Sequence, residues 1–219
     1  MKNIEHFLHK RGIMRDQTHF LKHDFSMLAI LVIPIGVAVN FVGGQTAAIL
    51  KLPLYLDAIG TMFVSMLCGP WVGAATGALS NLVSGVINPS VLPFIIVNIG
   101  VGLVTGFLAN KNMFSSWWKW PISICIISAI TIILSAPVVV LLYGGITGGG
   151  TSIITAVVMA AGVNIWTAFL GTEGIFTVLD RILSFIICLS VIRCIPPRIL
   201  IKYKCGYTFI KDQKELPPM

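Results

Sequence analysis

Among the side chains able to make directional contacts in or beside the apolar stretches, eight are candidates for one site: Asn40, Asp57, Asn88, Asn98, Tyr143, Asn164, Trp166 and Glu173. Amides offer donors and acceptors together, carboxylates accept or balance a cation, and aromatic rings stack. Such a mixture suits recognition of a small, flat, hydrogen-bonding solute, because each polar group the solute buries must find a partner. Among the eight, Asn98, Asn164, Trp166 and Glu173 are the leading candidates for contact. A central Asp costs about 2.5–3.5 kcal/mol on membrane insertion scales, so polar groups at that depth point toward function. The competing reading of each Asn is adhesion between neighbouring helices, at about 0.6 kcal/mol apiece. Tyr143 and Trp166 equally suit an interfacial aromatic belt. Asp180 and Arg181 are adjacent, so neither is expected to face the other on a helix, and each is expected to pair elsewhere.

Reaction chemistry is poorly served by the remaining residues, and no catalytic residue is expected. All four histidines, His6, His9, His19 and His23, precede the first apolar stretch. That placement rules against an intramembrane Ser-His dyad or a histidine-rich metal site, and no metal ligand is assigned. No GxxxxGK[ST] pattern occurs, so the chain is not expected to hydrolyse ATP itself. The five cysteines, Cys68, Cys125, Cys188, Cys194 and Cys205, have no CxxC spacing and read as reduced thiols. A net charge of +7 could suggest nucleic acid. The basic residues sit at the ends of apolar stretches and in the two tails, however, where orientation in a lipid bilayer accounts for them.

The elements that must carry these side chains are long apolar segments. Of the 219 residues 56% are hydrophobic and 11% charged, less than half the charged share of an ordinary soluble domain. Segments 27–44, 53–68, 70–87, 91–109, 121–143 and 174–195 are each long enough, or nearly so, to cross about 30 Å of hydrocarbon. The expected fold is therefore an all-α integral membrane protein. It comprises a six-transmembrane-helix bundle over 27–195 between basic cytoplasmic tails at 1–26 and 196–219. Cys68-Gly69-Pro70-Trp71 is a turn tight enough to demand an antiparallel helix hairpin. Segment 151–170 is expected to be a short external or re-entrant helix before the last span. A seventh crossing would carry the basic carboxyl-terminal cluster outside, against the positive-inside rule. Gly69, Gly73 and Gly77 repeat at four-residue spacing, which suits close helix packing, and Gly100, Gly102 and Gly106 thin the next span in the same way.

The run Leu54-Tyr55-Leu56-Asp57-Ala58-Ile59-Gly60-Thr61 is followed by Cys68-Gly69-Pro70-Trp71-Val72-Gly73-Ala74 and Ser80-Asn81-Leu82. Later come Leu179-Asp180-Arg181-Ile182 and Ile195-Pro196-Pro197. In that order these runs resemble the substrate-binding S components of energy-coupling factor (ECF) transporters, over about Met27 to Leu200. The resemblance implies a prokaryotic plasma-membrane importer in which this chain binds a small organic nutrient such as a vitamin, nucleobase or nucleoside. It also implies a transmembrane T component and two cytosolic ATPases as partners, with ATP used by those partners and no cofactor held by this chain. The pocket it implies opens outward and includes the regions of Gln45, Lys51, Asn98, Tyr143, Asn164, Trp166 and Glu173. Docking to the T component would use small residues on the first span, here Ala29, Gly36 and Ala38, although Ile33 interrupts their spacing. Two other readings stay open: a membrane-embedded sensor or assembly subunit, and a stand-alone facilitator or channel.

Overall fold

The computed structural model describes residues 26–148 and 150–210. Residues 1–25 of the expected tail 1–26, and the end of the second tail, 211–219, lie outside the described residues. The described residues are predominantly helical, and no strand occurs among them. The helices are α1 (Met27–Ile49), α2 (Ile59–Cys68), α3 (Pro70–Ile87), α4 (Ile95–Asn110), α5 (Trp120–Pro137), α6 (Gly150–Ala160), α7 (Ile165–Cys194) and α8 (Pro197–Leu200). A 3-10 turn over Pro89–Phe94 leads into α4, and a π turn over Val138–Leu142 extends α5.

Among the described residues, four segments are long and apolar enough to cross a membrane: Met27–Ile49, Pro89–Asn110, Trp117–Leu142 and Ile165–Cys194. The expected spans 53–68 and 70–87 correspond to shorter or more polar helices. α2 has only 10 residues, because the chain from Leu50 to Ala58 is not helical. Pro53 disfavours helix there, and Leu56 sits at φ 53, a left-handed conformation that ends regular structure. α3 keeps its 18 residues but interleaves Gly, Ser and Asn with its apolar positions. Segment 151–170 is not one helix. It breaks after α6 at Gly162, φ 88, and its last residues begin the 30-residue α7. Glycine at 162 adopts that backbone without the steric cost a Cβ would bring.

Around a hydrophobic core, the distribution of the remaining side chains differs from that of a soluble bundle. Thr61, Ser65, Thr76, Ser80, Thr105 and Ser184 are buried, while Leu31, Ile35, Val42, Val86, Ile133, Ile175 and Ile186 are exposed. Exposed apolar faces on several helices would be an aggregation hazard in water and are the expected surface in lipid. Inside, short side chains allow backbones to approach. A Cβ at Gly77 would lie 2.5 Å from the Asn98 carbonyl oxygen, and one at Gly102 would lie 2.5 Å from the Gly73 carbonyl carbon. Gly77, Gly102 and Gly106 therefore form the seam between α3 and α4, whereas Gly73 is turned toward Ser65 of α2 and Gly100 toward Leu134 of α5.

The chain beyond α7 is not a free tail as far as residue 210. Leu200 and Cys205 are buried. The Cys205 amide donates to the Leu67 carbonyl at 3.0 Å, and the Thr208 hydroxyl donates to Asn112 at 3.0 Å. This segment covers the α2 end of the hairpin.

Candidate functional site

A cavity of about 290 Å³ opens among α1, α3, α4, α5, α7 and the non-helical chain before α2. One face of α7 supplies its longest wall. Phe169, Glu173, Thr177 and Arg181 recur every four residues and all line it, as expected of neighbours on one helix face. Opposite them stand Tyr55 and Asp57 from the segment 50–58, and Ser80, Asn81, Ser84 and Asn98 from α3 and α4.

The wall is organised by two hydrogen-bonded clusters. In the first, the Tyr55 hydroxyl donates to the Glu173 carboxylate and lies 3.0 Å from the Thr151 hydroxyl, joining the chain before α2 to α6 and α7. In the second, the Asn98 amide donates to the Asn81 side-chain oxygen at 2.5 Å, and the Asn81 amide donates to the Val91 carbonyl at 3.1 Å. Glu173 and Asn98 are each about 95% or more buried yet border the cavity. They are preorganised groups with contact capacity to spare.

Asp180 anchors the irregular segment from behind. One carboxylate oxygen accepts from the backbone N–H groups of Tyr55 and Leu56, at 3.0 and 2.9 Å. The other lies 3.4 Å from Nη2 of Arg181. Asp180 thus has the other partners expected of it, in the Tyr55 and Leu56 amides, but the expectation that the two neighbours do not face each other is corrected. The long guanidinium stem folds back on its own helix, so adjacency does not prevent an ion pair.

Of the eight expected site residues, Asp57, Asn88, Asn98 and Glu173 line the cavity. Asn88 also caps the turn that follows it by accepting from Ser90 N–H at 3.2 Å. Tyr143 stands behind the wall. Its hydroxyl donates to the Ser90 carbonyl at 2.7 Å and its ring stacks on Phe94 at 6.0 Å, and both of those residues line the cavity. Asn40 lies below it as a packing hub. Its amide donates to Thr61 and Ser80 at 2.7 and 2.8 Å, and its oxygen accepts from the Gly60 N–H at 2.6 Å.

Asn164 and Trp166 fall outside the cavity. Asn164 is exposed and caps α7, accepting from the Trp166 N–H at 3.0 Å, while the Trp166 ring is 43% exposed. Asn164→Ala is therefore expected to destabilise the fold by about 1 kcal/mol, the usual worth of such a cap. A lowered melting temperature with solute retention unchanged is the expected pair of readings.

The three small residues expected to dock a partner do not share a surface. Ala29 and Gly36 are buried, Gly36 against Val64, Thr76 and Gly60, whereas Ala38 is exposed. The first two are used within the chain itself.

Sequence reasoning missed Tyr55, Asn81, Thr151 and Arg181. The four-residue spacing from Phe169 through Arg181 was a usable signal for Arg181. Tyr55 and Thr151 carry none, since only the fold brings them to Glu173. Among the described residues no group of three or more His, Cys, Asp or Glu side chains could hold a metal ion. Comparison with protein-family models, curated proteins and solved structures finds no match to this chain.

Proposed function

We propose that the chain is the solute-capturing subunit of an energised uptake system in a prokaryotic plasma membrane. In this reading α1, α2 with the segment before it, α3, α4, α5 and α7 make six crossings, α6 lies over the mouth, and both chain ends face the cytosol. A transmembrane partner and two cytosolic ATPases supply the movement, as the resemblance to ECF S components implies. The observation that carries the reading is the cavity itself, about 290 Å³ with convergent polar groups on a partly apolar wall, within a bundle whose outer face is apolar. A volume near the lower end of the range for small-molecule sites fits a nutrient of one or two rings.

Native mass spectrometry of the full chain, purified in mild detergent, tests this. A small molecule retained by the wild type is expected. Asn98→Ala is expected to weaken that retention at least tenfold while leaving membrane insertion intact, since it removes one hydrogen-bonding group from the wall without creating a charge. Unchanged retention in Asn98→Ala, or no retained molecule at all, would remove the proposed site.

A further inference from the structure

Arg181 borders the cavity with a side chain only 4% exposed, and the protein leaves much of its donor capacity open. Nη2 faces Asp180, but Nε and Nη1 have no hydrogen-bond partner, and neither does the second Asp180 oxygen. Buried donors in that state are costly unless something else meets them. Charge is unbalanced in the same region. Three carboxyl groups share the region with one buried guanidinium: Asp180 faces Arg181, Asp57 is close enough to feel both, and Glu173 borders the cavity about two helical turns away on α7. Lys51, the other basic residue on the wall, is exposed. A bundle embedded in lipid would carry an excess of buried acid, which a bound positive charge offsets. Tyr55, Phe94 and Phe169 add aromatic surface on the wall, of the kind that attracts a cation.

We propose that the cavity binds an organic cation carrying a hydrogen-bond acceptor at its opposite end, the positive end against Glu173 and the acceptor against Arg181. Eight residues separate the two on α7, about 12 Å of helix rise, so the solute is elongated along the helix. A ring carbonyl or imine nitrogen meets the guanidinium donors without adding negative charge beside Asp57 and Asp180. A carboxylate or phosphate would add it. The inference rests on the reading of the chain as a solute binder and assigns Arg181 to the site.

The test uses the full chain in lipid nanodiscs, washed free of small molecules and offered a bacterial small-molecule extract divided by ion exchange into cationic, neutral and anionic pools. Native mass spectrometry reads what is retained. Retention from the cationic pool alone is expected, falling at least tenfold in Glu173→Gln and in Arg181→Lys, which keeps the charge but loses the planar donor array. Retention from the neutral or anionic pool overturns the proposal and leaves the binding reading standing, whereas retention from no pool overturns both. Undiminished retention in Glu173→Gln also overturns it. Arg181→Lys with wild-type melting temperature and wild-type retention reduces Arg181 to a structural counter-ion and overturns its assignment. If Arg181→Lys does not fold, the wild-type pools and Glu173→Gln decide alone.

Discussion

Asp180→Ala is expected to destabilise the folded chain by about 3–5 kcal/mol, the cost of removing one member of a buried ion pair and stranding the other. Its carboxylate is fully buried and meets three groups at once: the Tyr55 and Leu56 amides and the Arg181 guanidinium. Alanine leaves all three unmet. Asp180→Asn keeps one acceptor oxygen of the same shape and is expected to lose less. Thermal unfolding in detergent, followed by loss of helical circular dichroism, ranks the two. A melt of Asp180→Ala equal to that of the wild type would show that the segment before α2 is held by something other than this carboxylate. Solute retention in Asp180→Ala is expected to fall as well, because Tyr55 and Asp57 hang from the same anchor.

Gly60→Ala is expected to be the most disruptive single-methyl change in the bundle. A Cβ there would collide with the Gly36 backbone carbonyl, and backbone cannot move aside as a side chain can. Overpacking of this kind costs about 1–3 kcal/mol and sometimes more. The same shift would pull the Gly60 N–H from its 2.6 Å bond to Asn40, leaving a buried amide short of a partner. The reciprocal change, Gly36→Ala, meets the Val64 and Thr76 methyl groups at 2.6 and 2.8 Å before it meets backbone. Those groups can rotate, so the loss should be smaller. Melting temperatures of the two variants, compared side by side, check the order. Equal losses would mean that α1 and α2 separate as rigid units.

What could be read in advance follows the reach of local chemistry. The long apolar runs that became α1, α4, α5 and α7 declare themselves through length and hydropathy alone. The hairpin at Gly69 does so through its Gly-Pro pair, and the structure has Gly69 at φ 98 between α2 and α3. The start of α2 was misplaced by several residues because an acid 125 positions away captures the Tyr55 amide. Pro53 is a local hint of irregular chain, but no local signal announces the distant carboxylate that holds it. Asn40 shows the same limit on the site. One amide in an apolar helix reads identically whether it faces a solute or its neighbours. Its four contacts, to Gly60, to Thr61 twice and to Ser80, exist only once α2 and α3 are in place. Glu173 and Asn98 were legible because their cost in an apolar setting is intrinsic to the residue type. Asn164 and Trp166 were drawn into the same set by position along the chain, and the break at Gly162 turned them away.

The ten residues of α2 rise about 15 Å, half of a hydrocarbon layer about 30 Å thick. In the proposed placement the other half of that crossing is made by irregular chain, where Lys51, Leu52, Leu54, Tyr55 and Asp57 border the cavity. Lipid offers peptide groups no hydrogen bonds, so irregular backbone survives at such depth only beside protein partners or water. A greasy guest filling the space would dehydrate this strip and give nothing back. On the proposed reading, the shortened helix would favour polar cargo before any individual side chain takes part.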